Sequence, residues 1–99
     1  MTDAELFRAL GNERRLLILT WLKDPRAHFR PRRDGDLVDD GVCGQLIAEK
    51  LGINASTLSE HMRVLQGSEL VTAKRIKQWT FYRRNQERLR ALAAVLDTI

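Results

Sequence analysis

The stretch "LIAEKLGINASTLSEHMRVLQGSELV", residues 46–71, decides the fold. Leu46, Ile47 and Leu51 recur at the spacing of one helix face, and Gly52 stands where a glycine ends a helix. A second helix follows, in which Leu58, Met62 and Leu65 form an apolar stripe at i, i+4 and i+7. Ser56, Ser59, Glu60 and Arg63 fall on the opposite side, with Thr57 and His61 partly covered by the neighbouring helix. The pattern predicts two helices joined by a tight glycine turn over about 44–66.

On the C-terminal side, "LVTAKRIKQWTFYRRN" alternates and is rich in β-branched and aromatic residues, which predicts two strands meeting near Lys77 and Gln78, a hairpin over about 70–84. Trp79 pairs across the strands with Ile76 in this register, with stacking on nucleic acid as its other use. Asn85 caps a last helix over about 86–98, striped by Leu89, Leu92, Leu96 and Ile99.

On the N-terminal side, Thr2 and Glu5 have the spacing of a capping box for a helix over about 3–10, with Leu6, Phe7 and Leu10 on one face. Gly11 and Asn12 end it, and Asn12 can cap the next helix, "RRLLILTWLK", apolar almost all round from Leu16 to Leu22, as in a helix enclosed by others. Residues 24–41 carry two prolines and two glycines and read as a long loop, for which mobility is the favoured reading. The whole, 1–99, is one domain of mainly α class with a small β-hairpin: a winged helix-turn-helix of about five helices and a two-stranded wing.

The 99 residues carry a net charge of +4, unevenly spread. Lys74, Arg75, Lys77, Arg83, Arg84, Arg88 and Arg90 oppose the single acid Glu87 in the last third, whereas Asp34, Asp36, Asp39 and Asp40 cluster elsewhere. Such a concentrated positive field suits a polyanionic partner, the alternative being a solvated basic face. The second helix of a helix-turn-helix fits the major groove of B-DNA, and a basic hairpin can lie along the adjacent backbone. The candidate DNA-contacting residues are therefore Asn54, Ser56, Thr57, Ser59, Glu60, His61 and Arg63 on the reading helix, and Lys74, Arg75, Lys77 and Gln78 on the wing. Glu60 is the most informative of them, because a carboxylate among phosphates needs a specific contact such as cytosine N4 to offset the repulsion.

Other classes fit less well. His28 and His61 have no nucleophile, phosphate-binding glycine loop or carboxylate pair arranged around them, so no catalytic site is expected. No segment has the apolar length of a membrane span, and the acidic start "MTDAELF" lacks the basic flank of a secretory signal, which predicts a cytoplasmic protein. Cys43 is the only cysteine and excludes an internal disulfide. It reads as a small buried hydrophobe or as a redox-sensitive thiol at a helix start. A winged helix that binds only proteins remains a rival, as does an RNA-binding one, although exposed stacking aromatics are lacking.

The stretches "LFRALGNERRLLIL", "LIAEKLGINASTLSEHMRVLQGSELV" and "KRIKQWTFYRRN" together resemble the ArsR family of winged-helix transcription regulators, over nearly the whole chain apart from 24–41. The resemblance implies a homodimer paired through its first and last helices, a palindromic DNA operator, and repression relieved by an effector. The dimer-forming residues would be Leu6, Phe7, Leu10, Leu89, Leu92, Leu96 and Ile99. Metal sensors of the family carry Cys-x-Cys where "CGQ" stands here, with Gln45 in place of the second thiol, or histidine ligands on the last helix, which has none. No metal and no cofactor is expected, and the effector is left open. The wing tip, commonly glycine in the family, holds Lys77.

Overall fold

The computed structural model describes residues 2–32 and 34–99; Arg33, within the expected loop, lies outside the described residues. The elements run α1 (Asp3–Leu10), α2 (Glu13–Lys23), α3 (Pro25–His28), β1 (Val42–Cys43), α4 (Gly44–Leu51), α5 (Ala55–Gly67), β2 (Val71–Ile76), β3 (Trp79–Arg84) and α6 (Gln86–Leu96). Helices α1, α2 and α6 begin at the side-chain caps that the sequence predicts, α5 begins at a cap on Asn54 that was not expected, and α4 has none. Thr2 and Glu5 form the reciprocal box on α1, and the Oδ1 atoms of Asn12, Asn54 and Asn85 accept from backbone amides on α2, α5 and α6.

The turn between α4 and α5 is made by Gly52, whose φ of 70° lies in the left-handed region, while the amide of Ile53 returns to the carbonyl of Ala48. Leu58, Met62 and Leu65 are buried as their spacing predicts, beside Ile18, Val42, Ile47, Leu70 and Phe81. At the end of α5, Glu69 takes a left-handed φ of 61°, and the amide of Leu70 bonds the carbonyl of Leu65. Asn85 then donates to the Glu69 carbonyl and Arg88 to that of Ser68, tying this corner to the start of α6.

The architecture is a winged helix-turn-helix, with two additions to the expected elements. The sheet has three antiparallel strands in the order β1-β3-β2, because Val42 and Cys43 pair with Tyr82 and Phe81. Two residues are too few to show an alternating pattern, so β1 is invisible in the sequence. The sixth helix, α3, is four residues long and starts on Pro25, which is tolerated in a first turn.

The expectation of a mobile loop over 24–41 is corrected by the same region. Leu37 is buried, Phe29 packs on the core, and Asp36 accepts from the amides of Val38 and Asp39 to form a tight turn. Gly35 lies so close to the Phe81 ring that a Cβ would sit 2.7 Å from it. Gly41, at φ 112°, passes against the Tyr82 carbonyl, where no side chain would fit. The two glycines that look like loop punctuation thus allow close packing on β3.

The α2 expectation also changes: Ile18, Leu19 and Leu22 are buried, but Leu16 and Leu17 are 48% and 38% exposed in the single chain. No helix among the described residues is long and apolar enough to cross a membrane.

Candidate nucleic-acid interface

Because Leu58, Met62 and Leu65 anchor one side of α5, Ser56, Ser59, Glu60 and Arg63 are held in solvent on the other. Arg63 Nη2 donates to Glu60 Oε2 at 2.8 Å. That bond holds the Glu60 carboxyl below the usual carboxylate range and raises the Arg63 guanidinium, so both stay charged at neutral pH. In the free protein they satisfy each other; a base edge or phosphate must break or share this pair.

The remaining reading-helix candidates are less available. Asn54 uses its Oδ1 to cap α5, accepting from the Thr57 amide at 2.8 Å, and Thr57 is half-buried. His61 is half-buried as well, and its Nδ1 lies 3.3 Å from Arg15 Nη1. A guanidinium only donates, so Nδ1 must be the acceptor. Burial first, then the charges of Arg15 and Arg14, lower the His61 pKa, which keeps the ring neutral at pH 7. Arg15 also donates to the carbonyls of Ala9 and Arg8 at the end of α1. It therefore joins the first helix to the reading helix, a long-range contact that no local pattern announces.

On the wing, Lys74, Arg75, Lys77 and Gln78 are exposed, and Lys77 and Gln78 form the two-residue turn. Lys77 takes a left-handed φ of 56°, the conformation for which a tip glycine is suited. The register Ile76↔Trp79 is the expected cross-strand pair, and the Arg32 guanidinium covers the Trp79 ring at 4.2 Å. The clustered acids do not lie elsewhere: Asp40 Oδ1 accepts from Lys74 Nζ at 2.6 Å and Asp34 Oδ1 from Lys77 Nζ at 2.9 Å. Nor does every base of the last third face outward. Arg84 donates to the Leu19 carbonyl and to Gln86, and Arg88 to the Ser68 carbonyl, so these two hold the fold together.

Between α5 and the wing lies an open cleft of about 520 Å³, bordered by Gln45, Leu58, Ser59, Gln78, Trp79 and Tyr82. Cys43, at its base, is 2% exposed and pairs with Phe81 in the sheet, the position of a small core residue. Among the described residues no group of three or more His, Cys, Asp or Glu side chains could hold a metal ion.

The apolar stripes of the terminal helices divide. Leu6 and Leu92 are 4% and 5% exposed and already belong to the core of the single chain, so these two of the expected dimer-forming residues present almost no surface to a partner. Phe7, Leu10 and Leu89 pack partly against that core. Leu96 and Ile99 are 54% and 87% exposed; the other exposed large apolar side chains among the described residues are Leu16 and Leu17 of α2 and Val38 of the 24–41 segment.

This arrangement, a polar helix face beside a basic hairpin, is that of winged-helix DNA-binding regulators. The HTH-type transcriptional regulator YbzH of Bacillus subtilis is 42% identical over 98 residues, spanning 99% of this chain and 98% of that protein. The homodimeric winged helix-turn-helix DNA-binding domain Mb0332 of Mycobacterium bovis superposes with a TM-score of 0.66 at 28% identity, covering 96% of this chain and 75% of that one. An ArsR-like transcriptional regulator from Rhodococcus sp. RHA1 gives a TM-score of 0.69 at 25% identity, covering 97% and 76%. No family model matches the chain. The chain belongs to the HTH-type transcriptional regulators, a non-enzymatic family, and the solved structures it resembles are ArsR-type winged helix-turn-helix domains.

Proposed function

We propose that the protein is a cytoplasmic, homodimeric repressor that places α5 in the major groove of a palindromic operator and lays the wing along the flanking backbone. The observation that carries this reading is the α5 face itself: Ser56, Ser59, Glu60 and Arg63 stand in solvent on a helix whose other side is locked into the core. Hydroxyls, a carboxylate and a guanidinium are the groups that read base edges. Asn54, Thr57 and His61 are placed at the margin of that contact, and Lys74, Arg75, Lys77 and Gln78 on the phosphates.

The dimer is formed through α1 and α6, with Leu96 and Ile99 as its apolar centre and Phe7, Leu10 and Leu89 at its edge; Leu6 and Leu92 support it from within. Exposed large apolar side chains on a small domain favour a partner, and the homodimeric Mb0332 domain supports a second copy as that partner. The repressor acts without metal, since Gln45 replaces the second thiol and α6 carries no histidine. The burial of Cys43 favours packing over redox sensing.

Selection of bound fragments from genomic DNA, followed by titration of the recovered duplex, tests the reading. The expected product is a two-fold symmetric site with half-sites about 10 base pairs apart, one helical turn. Recovery of no duplex above background, or a protein that sediments as a monomer on DNA, would contradict it.

A further inference from the structure

Residues 32 and 34–41 are strapped across the wing by contacts of several kinds. Asp34 accepts from Lys77 at 2.9 Å and Asp40 from Lys74 at 2.6 Å, and the two carboxylates are only 23% and 20% exposed. Asp40 is fixed by a second bond, its Oδ2 accepting from the Asp36 amide at 2.8 Å. Arg32 stacks on Trp79 at 4.2 Å and donates to Gln45 Oε1 of α4 at 2.8 Å. Gly35 is seated on the Phe81 ring and Leu37 is buried, so the acids are presented to the wing by an anchored backbone. Arg75, between the two lysines in sequence, makes no ion pair among the described residues; its Nε donates only to the Lys77 carbonyl.

We propose that Asp34 and Asp40 act as an intramolecular competitor of DNA, holding the Lys74 and Lys77 ammonium groups away from backbone phosphates and so setting the affinity of the wing for any duplex. The inference rests on the reading of the wing as a phosphate contact. A phosphate that approaches Lys77 exchanges one anion for another, and the displaced carboxylate stays nearby to repel it. The gain from such an exchange is small beside that at Arg75. Non-specific binding comes almost wholly from phosphate contacts, so two withheld charges per protomer lower the background on random DNA. The chain thereby combines a basic wing with restrained binding to sequences that α5 cannot read.

The test measures binding of the full chain to a random-sequence duplex across salt concentrations. The proteins are wild type, Asp34→Asn, Asp34→Asn with Asp40→Asn, Lys77→Gln, and Asp34→Asn with Lys77→Gln. Asp34→Asn is the mild variant, because this carboxylate bonds only Lys77 among the described residues; thermal melting checks that each variant is folded. Asp34→Asn is expected to bind more tightly, with a log affinity against log salt slope steeper by about 0.9 per protomer on the DNA. For each protomer on the DNA, the double asparagine variant should lose about tenfold more affinity than wild type between roughly 50 and 200 mM salt, the effect of two added phosphate contacts. Lys77→Gln should weaken wild type less than it weakens Asp34→Asn, whose gain it should cancel. If Lys77→Gln weakens wild type as much as it weakens Asp34→Asn, Lys77 meets phosphate unhindered and the proposal falls while the wing reading stands. If every variant equals wild type on a duplex that wild type binds, the wing is off the DNA and both fall. A gain from Asp34→Asn that survives Lys77→Gln would be a general charge effect and would also overturn the proposal.

Discussion

The reading helix and the wing both carry an acid against a base, but by different routes. On α5 the pair is Glu60 with Arg63, three residues apart on one helical face. On the wing, Lys74 and Lys77 meet Asp40 and Asp34, which lie 34 and 43 residues away in the chain. The first pair is a property of a local repeat and travels with the helix wherever it docks. The second exists only because 34–41 is folded over β3. A wing can therefore be as basic as a count of residues suggests and much less positive as a surface.

The largest effect should come from the scaffold beneath the reading helix. Met62→Ala opens a cavity at a fully buried site and should lower stability by about 2–5 kcal/mol in denaturant titration, as core truncations do. Ser59→Ala on the exposed side should leave the curve unchanged. Equal midpoints for the two would mean that α5 is not anchored as described.

Next is the seat of the strap. Gly35→Ala drives a methyl against the Phe81 ring and should lower stability by about 1–3 kcal/mol, the scale of overpacking, and loosen both wing ion pairs without changing any charge. An unperturbed melting curve, with the Lys74 and Lys77 resonances unshifted, would contradict the close approach.

Within the α5 pair, the partners should separate affinity from discrimination. Arg63→Ala should weaken every duplex, having lost a positive charge near phosphates. Glu60→Ala should tighten non-specific binding and reduce preference at one base pair by about tenfold to a hundredfold, the scale of a good base contact. Titration on the operator and its single-base variants at fixed salt distinguishes these from a uniform loss.

The smallest effects are in pH. Lys74 first, then the Asp36 amide, hold the Asp40 carboxyl below the ordinary value near 3.9, so its contribution is complete above that value and is lost as pH falls through the lower, folded one. His61 has the reverse origin: burial lowers it below about 6.5, so the unfolded chain takes up the proton first and stability declines as pH drops beneath that value. His61→Gln should flatten this decline between pH 6.5 and the lower folded value while leaving the acid-side loss from Asp40 in place. A melting temperature for wild type that is flat with pH below 6.5 would contradict the account of His61.

Much of this was legible in the residues because it is local. Helix caps at Thr2, Asn12 and Asn85, the stripe Leu58–Met62–Leu65 and the turn at Gly52 depend on neighbours a few positions away, and the structure places them as spacing predicts. Contacts between distant segments were not legible. A two-residue β1, the seat of Gly35 on Phe81, Arg15 against His61 and the capture of two lysines by Asp34 and Asp40 leave no periodic trace. Leu6 and Leu92 show the same limit, since an apolar stripe announces burial without saying whether the cover comes from its own chain.

Amide chemical shifts of the labelled protein, followed as the selected operator duplex is added, test directly whether α5 and the wing are the DNA-binding surface. Perturbations are expected to concentrate on Ser56 to Arg63 and on Lys74 to Gln78, and to grow weaker along the wing as salt is raised. Shifts confined to other faces, such as α2 and α3, or no salt-dependent shifts with any duplex, would contradict the account.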